Sequence, residues 1–262
     1  MRVIVTGAGS GIGRAAALRL TQDAKAREGK GASMLLVDIA ADRLEAVAAE
    51  VRAQGGTAET FAGDLSDPAV PARVIEKAAA ALGGLDVLVS NAGILTNALL
   101  ADLSLETYDR MFAINTRATW LLAKAAYPLL KQSRGCLIAT ASISATEPTP
   151  HLGAYSPTKA AVLMLVQQLA TEWGPDGIRC NCISPGATVT GMTQAVYGDP
   201  AKRDERSKMI PLRRVGMPED QAAAIAFLAS PDAAYITGIN LTVDGGVVTT
   251  LMGANRKVFT SK

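Results

Sequence analysis

The stretch Arg2-Val3-Ile4-Val5-Thr6-Gly7-Ala8-Gly9-Ser10-Gly11-Ile12-Gly13 passes from a short β-branched run straight into a glycine pattern. The run predicts a buried strand over Arg2 to Thr6, and the residues from Gly11 to Gln22 carry a helical period. A glycine at the strand end permits a tight turn, here Gly7. A second, Gly11, lets backbone approach a ligand, and a third, Gly13, lets the helix pack close to the sheet. Ser10 stands just before the helix, and Ile12 completes its first turn. A pyrophosphate held there would meet the positive end of a helix, so Gly7, Ser10, Gly11, Ile12 and Gly13 form the expected cofactor turn.

The alternation begun by this stretch continues along the chain. Strands are predicted at Met34 to Asp38, Thr57 to Phe61, Asp86 to Ser90, Cys136 to Thr140, Ile178 to Ser184 and Ile239 to Val243. Helices are predicted at Ala41 to Gln54, Asp67 to Leu82, Ser104 to Lys131, Ala154 to Trp173 and Glu219 to Ala229. Asp67-Pro68 opens one helix, and Gly135 and Gly174 close others. Strands separated by helices imply an α/β fold: a Rossmann-type, doubly wound sheet of seven parallel strands with right-handed crossovers. No linker, repeat or low-complexity tract interrupts it, so residues 1–262 read as one domain. The polar stretch Asp23 to Ser33 is expected to be a solvated loop.

Composition narrows the function. The 26 basic and 24 acidic residues are interspersed, giving a net charge of only +2 and no footprint for nucleic acid or an anionic membrane. No apolar stretch reaches the roughly 20 residues that span a bilayer, and no leader opens the chain, so a soluble, cytoplasmic protein working on a small molecule is expected. The cysteines Cys136, Cys180 and Cys182 fall in predicted strands and read as reduced core residues; no metal site is expected.

Asp38 ends the second strand, where a carboxylate can accept hydrogen bonds from adenosine ribose hydroxyls and repel a 2′-phosphate. An aspartate there also suits a turn or helix cap. Neither Ser10 nor Ile39 offers the cation that the phosphate of NADP needs, so the expected cofactor is NAD.

With these marks in place the sequence resembles the short-chain dehydrogenase/reductase family over nearly its whole length. Asp64-Leu65 is similar to the family's adenine-contacting pair, and Asn91-Ala92-Gly93 to the segment that lies along the cofactor. Asn115 resembles the family's structural and proton-relay asparagine. Ser142, Tyr155 and Lys159 resemble its catalytic serine and Tyr-x-x-x-Lys pair. Pro185-Gly186 with Thr188 and Thr190 matches the loop that grips the nicotinamide carboxamide.

The chemistry of the three catalytic candidates also follows from residue type. Tyr155 and Lys159 stand four apart on a predicted helix and project from one face. A phenol with a pKa near 10 is a poor base at neutral pH, but a nearby ammonium and an oxidised nicotinamide favour phenolate. Tyr155 is then the acid/base, Lys159 its partner and a ribose ligand, and Ser142 the holder of the substrate oxygen.

Around them, Ile94, Leu95, Ser144, His151, Leu152 and the segment Thr188 to Tyr197 are candidate pocket residues, with Ser144, His151 and Met192 the named substrate contacts. A solvent-facing loop position is the blander reading of His151. Residues 187–215 resemble the family's substrate lid, and the charged run Lys202 to Lys208 reads as its solvated outer face. The resemblance further implies a homotetramer and leaves residues 251–262 as a C-terminal tail that either reaches a neighbour's site or stays disordered.

The function expected is hydride transfer between a secondary alcohol, or its ketone, and NAD. An NADPH-dependent 3-oxoacyl-thioester reductase of the same family is the enzymatic alternative, and a nicotinamide-binding sensor without turnover the non-enzymatic one.

Overall fold

A computed structural model of the protein describes residues 1–250, so the expected tail at 251–262 lies outside the described residues. In chain order the elements are β1 (Arg2–Thr6), α1 (Gly11–Glu28), β2 (Ser33–Asp38), α2 (Ala41–Ala53), β3 (Thr57–Ala62), α3 (Val70–Leu82), β4 (Val87–Ser90) and α4 (Leu105–Phe112). There follow α5 (Ala118–Ser133), β5 (Cys136–Thr140), α6 (Tyr155–Trp173), β6 (Arg179–Pro185), α7 (Gln194–Tyr197), α8 (Pro200–Lys208), α9 (Pro218–Ala229) and β7 (Asn240–Val243). The strands form one seven-stranded sheet in the order β3-β2-β1-β4-β5-β6-β7, and every pairing is parallel. Strand order reverses between β1 and β4. Their C-terminal ends therefore diverge into opposite crossovers and leave a crevice, the usual ligand site of such sheets.

Successive side chains of a strand point to opposite faces. In β1, Val3 and Val5 join a core layer with Ala16 and Leu20 of α1, Leu44 of α2 and Ile225 of α9. Ile4, between them, joins the other layer with Val74 of α3, Leu122 of α5 and Val166 of α6. Both faces of the central strands are thus covered, which is why these strands read as continuous apolar runs. A Cβ built on Gly13 would sit 2.1 Å from the Gly7 carbonyl oxygen, so α1 leaves the sheet at a separation only glycine allows.

Several boundaries differ from expectation. The stretch Asp23 to Ser33 is loop only at its end, because α1 continues to Glu28 and stops at Gly29 in the left-handed region (φ 74°). Thr21 and Ala24 are buried, and Lys25 and Arg27 occupy the last turn, where cations suit the helix dipole. Asp67-Pro68 forms a turn before α3, with the Asp67 carboxylate accepting from Ala69 N. Arg134 (φ 51°), rather than Gly135, takes the left-handed cap of α5. Gly174 continues as a 3₁₀ turn, leaving that role to Gly177 (φ 78°). The single predicted helix from Ser104 to Lys131 has a π turn over Ala113–Arg117 set between α4 and α5.

The three cysteines are buried and free, and burial pushes the Cys136 thiol up to about 11 and those of Cys180 and Cys182 up to about 12. No helix among the described residues is long and apolar enough to cross a membrane.

Candidate active site

The crevice at the strand ends encloses about 620 Å³. Its floor is fixed by side chains that tie three strands together. Thr6 Oγ1 accepts from Asn91 N (2.9 Å) and Ala92 N (3.1 Å), and Asn91 Nδ2 donates to Thr6 O (3.1 Å). Thr140 at the end of β5 donates to Asn91 Oδ1 (3.1 Å). These bonds use polar groups that would otherwise be left unpaired where the strands end.

At the β2 end, Asp38 holds the glycine turn in shape. One carboxylate oxygen accepts from Gly9 N (3.0 Å), the other from Ala40 N (3.1 Å). The turn reading of Asp38 therefore holds, and each oxygen keeps a lone pair for a further donor. Gly7 (φ 65°) and Gly11 (φ 52°) adopt left-handed backbone, and Ser10 caps α1 by backbone without spending its hydroxyl on a cap bond. The first amides of α1 thus face the crevice with no partner from their own helix. Opposite, a Cβ on Gly11 would meet the Thr190 side chain at 3.2 Å, so the roof lies one side chain away. A glycine-lined cradle of this width, with donors on one wall and a carboxylate at its end, fits a dinucleotide.

Ser142 follows β5 with extended backbone, and its Oγ accepts from Ser144 N (3.1 Å) while its carbonyl accepts from Ser184 Oγ (3.0 Å). Tyr155 opens α6, its N–H bonded to Leu152 O (3.0 Å). One turn on, Lys159 is buried, with Nζ donating to Thr140 O (2.7 Å) and lying 5.6 Å from the Tyr155 ring centroid. Burial pulls the Lys159 ammonium down to about 8. Burial pushes the Tyr155 phenol above its ordinary value, and a hydrogen bond with Ser142 acts the other way. Desolvation thus opposes the phenolate that a base requires, while the Ser142 hydrogen bond and neighbouring positive charge favour it.

Asn115 sits inside the π turn. Its Oδ1 accepts from Ile94 N (2.8 Å), and its Nδ2 donates to Ile94 O (2.9 Å) and Thr158 Oγ1 (2.9 Å). A Cβ on Gly93 would meet Asn115 Oδ1 at 3.2 Å and Lys159 Nζ at 3.3 Å, so Gly93 is where the three elements converge. π turns of this kind recur at functional sites.

The expected residues Gly7, Ser10, Gly11, Ile12, Asp38, Asn91, Ala92, Gly93, Ser142, Ser144, Tyr155, Lys159, Pro185, Gly186, Thr188, Thr190 and Met192 all line the crevice. Gly13 and Asn115 act from behind the lining. Asp64 accepts from Ser66 N (2.8 Å) and pairs with Arg110 (3.3 Å), which hold its carboxyl below the usual range; Leu65 beside it is buried. His151 is exposed, outside the crevice wall, with left-handed backbone (φ 65°). Two further cations line the crevice: Arg43, which sequence reasoning passed over, and Arg206, expected instead on the solvated outer face of the lid within Lys202 to Lys208. Arg43 stands in the first turn of α2, where a cation opposes the helix dipole, and that placement was the available signal.

The family profile described as enoyl-(acyl carrier protein) reductase matches residues 7–248. The chain belongs to the short-chain dehydrogenase/reductase family. It is 37% identical over 252 residues to an L-rhamnose 1-dehydrogenase (NAD(P)(+)) of Sphingomonas sp. strain SKA58, covering 95% of this chain and 96% of the relative. It is 37% identical over 244 residues to a D-threitol dehydrogenase of Mycolicibacterium smegmatis, covering 93% and 91%. A Beutenbergia cavernae protein, provisionally assigned as an NAD(P)-dependent gluconate 5-dehydrogenase and solved with NADP at low occupancy, superposes with a TM-score of 0.86 at 35% identity, covering 95% of this chain and 96% of that one.

Proposed function

We propose that this chain oxidises the CH–OH group of a small polyhydroxylated secondary alcohol, or reduces the matching ketone, with NAD as its preferred cofactor. The observation carrying the proposal is that Ser142, Tyr155 and Lys159 line the same crevice as the glycine cradle. The dehydrogenase names of the sugar and polyol relatives support the substrate class. A bound NAD supplies the hydride acceptor and, when oxidised, a positive charge beside the phenol.

In the oxidation direction Ser142 Oγ holds the substrate oxygen and Tyr155 takes the hydroxyl proton. Lys159 offsets the cost of burying the phenolate and binds ribose hydroxyls. Asn115, by shaping the segment at Ile94 and holding Thr158, positions the route by which the proton leaves near Lys159. Asp64-Leu65 bounds the adenine side, while Thr188 and Thr190 bind the carboxamide.

Asp38 supports NAD, since its carboxylate repels a 2′-phosphate while accepting from ribose hydroxyls. Arg43 favours a second reading, in which NADP is also used, because it puts a cation beside Asp38 at the cradle's end: a Cβ on Gly9 would meet Asp38 Oδ2 at 3.0 Å and Arg43 Cβ at 3.1 Å. Residues 187–215 serve as the substrate lid, a role supported by Met192 and Gln194 on the crevice wall. Exposed Trp120 on α5 and Met164 on α6 support subunit packing into a homotetramer.

Initial rates over a panel of alcohols and ketones with both cofactors test the proposal. Turnover of polyols with NAD is expected. A strong preference for NADPH and thioester substrates would replace it with the acyl reductase reading.

A further inference from the structure

We propose that Arg206 is a substrate-binding residue that recognises a carboxylate, so that the preferred substrates are small hydroxy acids rather than neutral polyols. The inference rests on the dehydrogenase reading and names the substrate class within it.

Within the charged run of α8, Lys202, Arg203, Asp204, Glu205 and Lys208 are exposed, while Arg206 is only half-exposed and lines the crevice. The guanidinium is poorly satisfied. Its Nε is shielded from solvent with no hydrogen-bond partner, and its Nη1 finds only the Met209 thioether at 4.0 Å. No carboxylate lies within salt-bridge distance of Arg206 among the described residues, whereas Arg2, Arg14, Arg110 and Arg214 are each paired with one. A guanidinium carries five donors; the shielded Nε is out of a ligand's reach, and the Nη groups, with no carboxylate beside them among the described residues, are the donors left for an acceptor entering the crevice.

Nothing on the crevice wall supplies that acceptor as a charge. The wall's carboxylate is Asp38, engaged with Gly9 and Ala40 at the far, nucleotide end. The residues that α7 adds to the wall, Gln194 and Tyr197, are neutral. A planar carboxylate matches the guanidinium fork with two parallel charge-assisted bonds. The same fork could instead serve the dinucleotide's pyrophosphate, so the experiment must separate the two anions.

The test compares aldonates with alditols of the same chain length, for example D-gluconate and D-glucitol, on the full-length protein. Wild type is expected to show the higher kcat/KM on the acids. Arg206→Met is expected to lower that value about 10- to 100-fold, chiefly through KM, and to leave the alditols within about twofold. Arg206→Lys should keep part of the acid preference, and the melting temperature shows whether each variant folds. Quenching of NADH fluorescence reads NADH affinity directly. Adding gluconate or glucitol to the enzyme–NADH complex reads acid binding without turnover. Weaker NADH binding with an unchanged acid-to-alditol ratio would assign Arg206 to the pyrophosphate and overturn the proposal. Equal affinity of wild type for gluconate and glucitol would overturn it too. Gluconate binding that depends on Arg206 without turnover on either class would uphold the residue's role while removing the dehydrogenase reading.

Discussion

The two halves of the crevice are built in different ways. The nucleotide half stands on strand ends and is held by partly buried hydrogen bonds through Thr6, Asn91, Thr140 and Asp38. The substrate half hangs on an excursion from β6 in which, between Val189 and Arg214, Ile210 is the one buried residue among those described. Met192, Val196, Met209 and Leu212 are exposed there. Buried, satisfied backbone gives a preorganised surface, whereas a segment with little burial opens at low free energy and adapts to what it binds. On the proposed function, the shared part of the chemistry sits on the first half and selectivity on the second.

The sharpest way to break this division is at its junction. Tyr155→Phe is expected to lower kcat/KM about 10²- to 10⁴-fold while NADH fluorescence titration shows unchanged affinity. Lost affinity would mean that the halves are not separable. Lys159 offers the next test, through pH. Its folded pKa of about 8 lies below the ordinary 10.5, so both states hold the proton below pH 8. Above that the folded state releases it first, the unfolded state binds more protons, and stability rises with pH, by about 1 kcal/mol over one pH unit. The buried thiols of Cys136, Cys180 and Cys182, pushed up from 9.0 to about 11 and 12, act in the opposite sense from about pH 9, and Tyr155 joins them above 10, so the window is pH 8 to 9. Urea melts across it should show the rise in wild type and lose it in Lys159→Met.

Paired glycines then compare the halves directly. Gly13→Ala, with its Cβ 2.1 Å from Gly7 O, should cost about 1–3 kcal/mol and weaken NADH binding. Gly191→Ala, where the nearest atom is Ser10 Oγ at 3.8 Å, should change stability by under about 0.5 kcal/mol. Smallest and most specific is cofactor choice. Asp38→Asn should raise the NADP-to-NAD ratio of kcat/KM about tenfold, and Arg43→Ala should lower it by a similar factor.

The nucleotide half was legible because its determinants are local. A β-branched run, three spaced glycines and an aspartate at a strand end each carry their geometry in residue type. The substrate half depends on where an excursion docks. Arg206 looked like part of a solvated helix face because nothing in Lys202 to Lys208 says which side meets the crevice. Arg43 was hidden for a related reason: the sequence predicts the start of α2 at Ala41, but nothing in residue type says that its first turn packs against the glycine turn at Gly9. Charged residues masked the continuation of α1 through Asp23 to Glu28. The π turn at Asn115 is a change of hydrogen-bond register by one residue, which leaves no mark in composition.

The excursion closes on itself at its base. Val189 N donates to Gly216 O and Gly216 N to Ala187 O, both at 2.9 Å, so the chain returns to the place it left. Apart from Leu212 N, which donates to Gly245 O (3.2 Å) just after β7, what lies between those two crosslinks stays outside the register of β6 and β7, and lengthening a loop already closed adds little entropy cost. The segment from 191 to 215, beyond Thr190, is in that sense a cassette. It can be exchanged for one of different length and chemistry, giving a route to new substrate preferences with the nucleotide machinery left intact.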